Sequence, residues 1–518
     1  MTKTLIKSLS LVSSMTLISR VLGLVRDTLA AQLFGVNAGV DAFIIAFKIP
    51  NFMRNLFAEG SFSQAFVPVL SEYQQSHSKE AIRVFINHMA GSLGLILLAL
   101  TFLGVFWAQY LIELFSPGLD LYRFNLARDM LRITFPYLML ISLTAFMGSI
   151  LNSYGKFGIP AFSPALLNIC LIITALGFSN WFHVPVESQA WGVLIAGFVQ
   201  FFLQLFALYR MGVIITPKIS WKDEGVKRVL KLIIPGLFGA SVGQISILLS
   251  TVLASFLVTG SITWLYYSER LTYFPLGVFG VALATVTLPH LSRQYASNSD
   301  DEFSTALDWG LRLNLLIGIP ASVAMFMLSG PLIVSLFQYG KFTLNDVLMT
   351  QQCVVTYAVG LQAFMLAKML SSAFYARQDI RTPVRISMIT LGANMVLSLI
   401  LVWPLAHAGL ALATSLSSWV NVIILWVTLQ KRGIYSPKQG WLYFVLQLIV
   451  ANTVLAGFLW YSTANTLTWM HWNWSQRFLH LLMLGSASLA LYLVCLWLTR
   501  LKQIDLAPSV NSLNADPE

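Results

Sequence analysis

The amino-acid sequence predicts an all-α polytopic membrane protein with about fourteen transmembrane helices. We expect two six-helix lobes related by a parallel pseudo-two-fold repeat, followed by two additional C-terminal helices. Three observations lead to this fold class: the composition, the recurrence of long apolar runs, and an internal repeat. Hydrophobic residues make up 57% of the chain and charged residues 10%, whereas soluble proteins carry about 25% charged residues. The composition therefore excludes a soluble protein.

Apolar runs long enough to cross a bilayer, about 20 residues each, recur from one end of the chain to the other. The predicted spans are residues 8–34, 41–58, 84–110, 129–152, 161–180, 190–210, 229–258, 262–289, 309–329, 347–375, 384–403, 406–429, 441–461 and 478–499. Lys and Arg accumulate in alternate loops, which places both termini in the cytoplasm and requires an even number of spans. The same loops explain the net charge of +11, so the charge does not indicate nucleic-acid binding.

Short motifs recur in the same order at a nearly constant offset, which is typical of an internal repeat. The pairs are Pro68-Val-Leu-Ser with Pro289-His-Leu-Ser at an offset of 221, Tyr154-x-Lys-x-x-Ile with Tyr375-x-Arg-x-x-Ile at 221, and Leu114-Phe-x-x-Gly with Leu336-Phe-x-x-Gly at 222. The offset covers about six spans, so both copies have the same orientation. We therefore predict lobes at 1–222 and 223–432, two added helices in 433–503, and a disordered cytoplasmic tail at 504–518. In such a repeat the substrate site lies between the lobes.

The first two spans carry the densest set of charges within the membrane. These charges are Arg20, Arg26 and Asp27 in the first span, and Asp41, Lys48 and Arg54 in the second. An Arg near the centre of a membrane helix costs about 2.5–3.5 kcal/mol, so these side chains need a polar environment. At about 100° per residue, Arg20 and Asp27 share one helix face, and Asn51 and Arg54 lie close to a face shared by Asp41 and Lys48. The pattern predicts a cationic cavity that receives an anion.

The second lobe supplies fewer charges. Glu269 and Arg270 lie in the eighth span on different faces, and Lys368 lies inside the tenth. Asp41 and Glu59 lie near span ends, which suits a gate or an interfacial position. In the alternative interpretation, the arginines are neutralised by acidic residues of the protein and merely tie helices together.

Five stretches of this sequence resemble one known family, the lipid II flippases called MurJ or MviN. They are Ser19-Arg-Val-Leu-Gly-x-x-Arg26-Asp27, Asp41-Ala-Phe-x-x-Ala-Phe-Lys48-x-Pro-Asn51-x-x-Arg54, Phe57-Ala-Glu59-Gly-x-Phe-x-Gln-Ala-Phe-x-Pro68, Phe274-Pro-x-Gly-Val-x-Gly-Val-Ala282, and Phe374-Tyr-x-Arg-Gln-Asp379-x-x-Thr-Pro383. The resemblance extends to about Leu501. It implies a fourteen-helix member of the multidrug/oligosaccharidyl-lipid/polysaccharide exporter superfamily that works by alternating access.

The resemblance also implies a substrate and a site. The substrate would be lipid II, a disaccharide-pentapeptide on undecaprenyl diphosphate, moved from the inner to the outer leaflet of the bacterial cytoplasmic membrane. The cavity residues implied by the motifs, with two further polar residues of the second span, are Arg20, Arg26, Arg54, Arg270, Lys48 and Asn51. The residues assigned to a gate or to structural pairing are Asp27, Asp41, Glu59, Glu269 and Lys368. Some relatives carry an acidic residue where this chain has Tyr273, so no charge role is assigned there.

Membrane lipids and cell-wall synthesis proteins are the further partners expected, and we expect no nucleic acid, metal ion or cofactor. A coupling ion or the membrane potential is left open as the energy source. The nearest alternative is an exporter of another polyprenyl-diphosphate sugar. A cationic-drug exporter fits an arginine cavity poorly. A membrane glycosyltransferase would need an acidic catalytic group on larger loops, and a non-transporting cell-wall scaffold would leave the buried arginines unexplained.

Overall fold

The computed structural model describes residues 2–55, 61–297 and 299–499, and every regular element in these ranges is helical. The α-helices of the first half are α1 (Thr2–Phe34), α2 (Ala38–Arg54), α3 (Ser61–Ser76), α4 (Lys79–Phe106), α5 (Ala108–Phe115), α6 (Leu121–Thr134), α7 (Tyr137–Ser153), α8 (Gly158–Phe178) and α9 (Glu187–Arg210). Those of the second half are α10 (Glu224–Ser255), α11 (Ser261–Pro275), α12 (Val281–Ala296), α13 (Asp300–Met327), α14 (Ser329–Leu336), α15 (Leu344–Ala376), α16 (Arg381–Lys431), α17 (Trp441–Ser462), α18 (Thr466–His471) and α19 (Trp474–Leu498). Glu59 and the predicted tail lie outside the described residues.

Ten helical stretches of the described residues are long and apolar enough to cross a membrane. One of them is the 51-residue α16, which Ala406 (φ 47°, ψ −127°) divides into two runs that match the predicted spans 384–403 and 406–429. Helix α3 lies between the predicted spans 41–58 and 84–110 and belongs to neither, and it carries polar residues such as Glu72 and Gln74. The all-α membrane class is confirmed, and the number of fourteen spans stays a prediction.

The internal repeat is visible in the helix bounds. Helices α4 and α13 begin and end at the offset that separates the Pro68 and Pro289 motifs, and so do α5 and α14. Ser78 and Ser299 occupy the same N-cap position, and each accepts a backbone N–H three positions ahead. The break between the paired helices also recurs, at Trp107 (φ −97°, ψ 21°) and Leu328 (φ −95°, ψ 11°). The two halves therefore share local backbone geometry as well as sequence motifs.

In each half, the segment that follows the last helix of the repeat packs against an earlier helix of the same half. The segment after α9 contacts α4, and the segment after α16 contacts α13. Gly212 (φ 77°) and Gly433 (φ 67°) occupy equivalent positions of the repeat and end α9 and α16. This left-handed backbone is the one that glycine adopts without steric cost. In the first half Asn87 of α4 then anchors the segment, accepting the Thr216 N–H at 2.9 Å and donating to the Thr216 hydroxyl at 2.9 Å.

The equivalent anchor in the second half is charged. Asp308 of α13 takes the position that Asn87 has in α4, and it accepts from the Tyr435 hydroxyl and the Trp441 Nε1, both at 2.7 Å. Its other carboxylate oxygen accepts from Arg312 Nε at 2.8 Å, and both charged side chains are buried. Burial and then the hydrogen bond to Asp308 raise the pKa of Tyr435, which keeps its hydroxyl protonated as a donor. Because Trp441 begins α17, this carboxylate joins α17 to α13.

The chain divides into two compact units. The first comprises Met1–Thr263 with Tyr339–Phe342, and the second comprises Trp264–Gln338 with Thr343–Glu518. The core of the first unit includes Phe66, Phe85, Phe146, Leu151, Leu208 and Val229. The second has one core that includes Leu307, Met369, Phe374 and Leu429, and another that packs α17 and α19 against Leu328. These units are defined by compactness and the predicted domains by the repeat, so the limits 1–222, 223–432 and 433–503 stay predictions.

Candidate functional site

The charges of α1 fall into a buried group and an exposed one. Arg26 and Asp27 are 8% and 5% exposed, and Arg26 Nε donates to Asp27 Oδ1 at 2.9 Å. Arg20, less than two turns earlier, is exposed. Of the residues that the helical pattern placed on one face, Asp27 is thus buried against a neighbouring side chain while Arg20 is not. The buried pair agrees with the alternative in which an arginine is neutralised by the protein.

Asn168 of α8 completes the environment of Arg26. Its Oδ1 accepts from Arg26 Nη1 at 3.0 Å, and its Nδ2 donates to the Ser19 carbonyl at 3.0 Å. Gly23 lies under this amide, because a Cβ at that position would be 3.6 Å from Asn168 Nδ2. Asn168 therefore fixes both the guanidinium and the segment of α1 beside Arg20. Sequence analysis missed it, although an amide in the middle of an apolar run was a usable signal.

Three predicted site residues follow one another along α2. Arg54 Nε donates to Asn51 Oδ1 at 2.9 Å, and Lys48 Nζ lies 3.5 Å from the Thr251 hydroxyl of α10. All three are partly exposed, so none is sealed in a packed core. The Asn51 amide oxygen and the Thr251 hydroxyl are uncharged, so these two hydrogen bonds do not themselves neutralise a positive charge.

Asp41 is fully buried near the start of α2. Its carboxylate accepts from the backbone N–H groups of Gly260 and Thr263, at 2.7 and 3.0 Å, and from the Thr263 hydroxyl at 2.6 Å. Arg123 Nη1 lies 3.8 Å away. A helix leaves its first N–H groups without internal partners and has a positive N-terminal dipole, so Asp41 caps the start of α11. Sequence analysis missed Arg123, whose signal was its position three residues after the helix-capping Asp120.

In the second unit an aromatic ring supports the predicted arginine. The Arg270 guanidinium carbon lies 4.9 Å from the centre of the Tyr266 ring, and Nη2 donates to the Tyr266 hydroxyl at 3.1 Å. Arg270 is exposed, whereas Glu269 is partly buried and accepts from the Tyr357 hydroxyl at 3.4 Å. The two neighbouring side chains thus have different surroundings. Lys368 is also exposed.

The structure therefore brings Arg26 together with Asp27, and Arg54 together with Asn51. Arg20 and Arg270 remain exposed within their own units. Guanidinium groups donate two parallel hydrogen bonds to a phosphate or carboxylate. The described residues can therefore offer cationic donors to an anion, and Asp41 serves a helix start instead.

Comparison with known proteins gives first the class. A solved structure described as the inward-facing conformation of a multidrug resistance MATE family transporter of the MOP superfamily has a TM-score of 0.69 and 17% identity, covering 82% of this chain and 98% of that one. The identity is low, so this likeness concerns the fold alone, which is that of an all-α membrane protein. A second solved structure, "Lipid II flippase MurJ, inward closed conformation", has a TM-score of 0.79 and 30% identity, covering 96% and 99%.

The sequence comparisons give the family. The sequence model of the family "Lipid II flippase MurJ" matches residues 30–482. A probable lipid II flippase MurJ of Vibrio cholerae is 43% identical over 97% of this chain and 98% of its own length. A lipid II flippase MurJ of Burkholderia cenocepacia is 40% identical over 89% and 90%. The chain belongs to the MurJ family of lipid II flippases, which are transporters and not enzymes. The predicted family is confirmed.

Proposed function

We propose that this protein moves lipid II from the inner to the outer leaflet of the bacterial cytoplasmic membrane by alternating access between its two lobes. One observation carries the proposal: the match to relatives named as lipid II flippases covers 97% of this chain and 98% of the Vibrio cholerae relative. A match of this extent includes both repeats and the two added helices. The similarity to the Vibrio cholerae relative therefore extends over nearly the full length of both chains, rather than over one lobe.

We further propose that the diphosphate of lipid II is bound by Arg20, Arg26, Arg54, Arg270, Lys48 and Asn51. Charge balance within α1 and α2 supports this assignment. Asp27 offsets Arg26, and Asp41 is already engaged by the donors at the start of α11. Basic side chains therefore outnumber acidic ones along these two helices. A diphosphate supplies the matching negative charge and accepts charge-assisted hydrogen bonds.

The remaining polar residues are proposed to act on the conformation rather than on the substrate. Asp27 orients Arg26, and Asp41 holds the start of α11. Glu269 pairs with the Tyr357 hydroxyl. Glu59 and Lys368 are kept as gate or structural residues on their sequence positions alone.

The basic loops support a cytoplasmic location for both termini. In that orientation flipping moves an anionic headgroup away from a negative interior, which is favoured by about 2.3 kcal/mol per charge per 100 mV. We propose that the membrane potential contributes to the driving force in this way. Proteins that consume lipid II at the outer leaflet are the candidate partners.

The test measures lipid II exposed at the outer leaflet of cells depleted of their own flippase, with an enzyme that cleaves only externally exposed lipid II. We expect wild-type protein to restore exposure and Arg54→Ala to fail at equal membrane abundance. Arg210→Ala is the matched control, because Arg210 is an exposed arginine at the end of α9 that stacks on Phe206. We expect this control to behave as wild type.

Restoration by Arg54→Ala would remove Arg54 from the proposed site. If depletion left lipid II exposure unchanged, the substrate would be another lipid. The second candidate, export of a different polyprenyl-diphosphate sugar, would then be tested with the same variants, because the diphosphate is common to both substrates.

A further inference from the structure

A glycine after α14 lies against the end of α1. Gly340 has φ 58°, and a Cβ there would lie 2.4 Å from the Gln32 carbonyl oxygen. The next residue, Lys341, donates its N–H to that same carbonyl at 2.9 Å. The contact is reciprocal: Gly35 has φ 68°, and a Cβ there would lie 2.6 Å from the Lys341 carbonyl oxygen. Two backbones meet here with no room for a side chain on either.

A glycine after α5 makes the corresponding contact with the end of α10. The Gly118 N–H donates to the Ser255 hydroxyl at 3.0 Å. A Cβ on Gly118 would lie 2.5 Å from the Phe256 ring. Ser255 is the last residue of α10, and it is fully buried.

The repeat relates these two contacts. Gly118 and Gly340 are the glycines of the matched Leu-Phe-x-x-Gly motifs, and their partners Gln32 and Ser255 are separated by almost the same offset. Helices α1 and α10 are the first helices of the two repeats. The glycine of each repeat therefore contacts the first helix of the other repeat. All four positions belong to the first compact unit, which comprises Met1–Thr263 with Tyr339–Phe342.

We propose that Gly118 and Gly340 are positioning residues for transport. Together with Gln32 and Ser255 they form a glycine clasp, which links the two repeats at the ends of α1 and α10 and must separate when that side of the protein opens. The four residues lie at or just beyond the ends of the predicted spans 1, 3, 7 and 9, so they lie on one side of the membrane, the outer side in the proposed orientation. This inference rests on the proposed transport function.

The chemistry of the clasp suits a contact that is made and broken. It consists of one backbone hydrogen bond, one hydroxyl hydrogen bond and close backbone approach. A typical hydrogen bond contributes about 0.5–1.5 kcal/mol net because water replaces the lost partner. Glycine permits the close approach, and a methyl group at either position would collide with main chain or with a ring.

The first experiment bridges the clasp. In a background without Cys170, Cys353 and Cys495, the pair Gln32→Cys and Lys341→Cys is joined by a short, reducible thiol cross-linker. The control pair, Asn87→Cys and Thr216→Cys, bridges a contact inside one repeat. We expect bridging at 32 and 341 to abolish lipid II transport and reduction to restore it, while the bridged control pair keeps its unbridged rate. Transport by the bridged 32–341 protein at the unbridged rate would overturn the proposal.

The second experiment needs no substrate, so it separates failure of the clasp from failure of the lipid II assignment. Ser261→Cys places a thiol at a position that is fully buried beside the start of α11. We expect Gly118→Ala and Gly340→Ala to raise several-fold the rate at which a membrane-impermeant maleimide labels this thiol. Gly94→Ala is the control, because a Cβ there meets nothing within 4 Å. Labelling as slow in both clasp variants as in the control would refute the clasp.

Discussion

Replacement of the Asp41 carboxylate tests how strongly α2 holds the start of α11. In Asp41→Asn one acceptor oxygen becomes an NH2 group, which must face either the Gly260 N–H or the Thr263 donors. Hydrogen bonds to a charged group contribute about 1.5–3 kcal/mol each, and a buried donor left without a partner costs about 1–3 kcal/mol. Because Asp41 is fully buried, solvent cannot replace the lost acceptor. We expect the free energy of unfolding to fall by about 2–4 kcal/mol.

The assay is equilibrium unfolding of purified protein in mixed detergent micelles. A double-mutant cycle with Thr263→Val isolates the bond from the Thr263 hydroxyl to Asp41, and we expect a coupling of about 1–2 kcal/mol. Asp129→Asn is the control, since the Asp129 side chain is 55% exposed and pairs with Arg128 at the surface. Such pairs contribute about 0–1 kcal/mol. An Asp41→Asn protein as stable as this control would refute the capping role.

Three further predictions concern other parts of the chain. Asn168→Leu removes an acceptor of Arg26, so we expect impaired lipid II exposure at normal membrane abundance. Asn168→Asp retains that acceptor and should be closer to wild type. Equal activity of Asn168→Leu and wild type would contradict this prediction. Arg270→Lys keeps the charge but loses the planar fork, so we expect partial activity in the same assay where Arg270→Ala has none, and full activity of Arg270→Lys would favour a purely electrostatic role. Although burial acts to raise it, hydrogen bonds from neighbouring donors, Arg432 among them, lower the pKa of Asp379 to about 2 from 3.8. The contribution of Asp379 to stability is therefore present above pH 3.8 and lost as the pH falls towards 2. The free energies of unfolding of wild type and Asp379→Asn, measured between pH 2 and 5, should converge at the acid end. A difference that stays constant over this range would disprove the linkage.

The repeat was predictable from sequence because it rests on local rules. The matched motifs contain Pro68 and Pro289 and the glycines of the two Leu-Phe-x-x-Gly stretches. Proline and glycine restrict or extend the local backbone conformations, and each half uses them at equivalent positions. As a result, the first residues of α4 and α13 are separated by the repeat offset of 221, and so are their last residues. Local backbone signals are carried by neighbours in the chain, so one sequence is sufficient to reveal them.

The contacts of the site were less predictable. Helical periodicity put Arg20 and Asp27 on one face, yet Asp27 pairs with its neighbour Arg26, because a long flexible side chain can fold back along the helix. The partner Asn168 lies 142 positions from Arg26 in the chain. Which distant polar group meets a charge depends on helix packing, and periodicity does not report packing.

The charged anchor at Asp308 has a mechanical consequence. One carboxylate ties α13 to Tyr435 and to Trp441 at the first residue of α17, and the Tyr492 hydroxyl of α19 donates to the Leu316 carbonyl of α13 at 2.8 Å. Helices α17 and α19 are thus hydrogen-bonded to α13 at two different positions along it, Asp308 and Leu316. A displacement of α13 would therefore move α17 and α19 with it. A hydrocarbon chain bound to the surface of these two helices would then move together with that half of the protein.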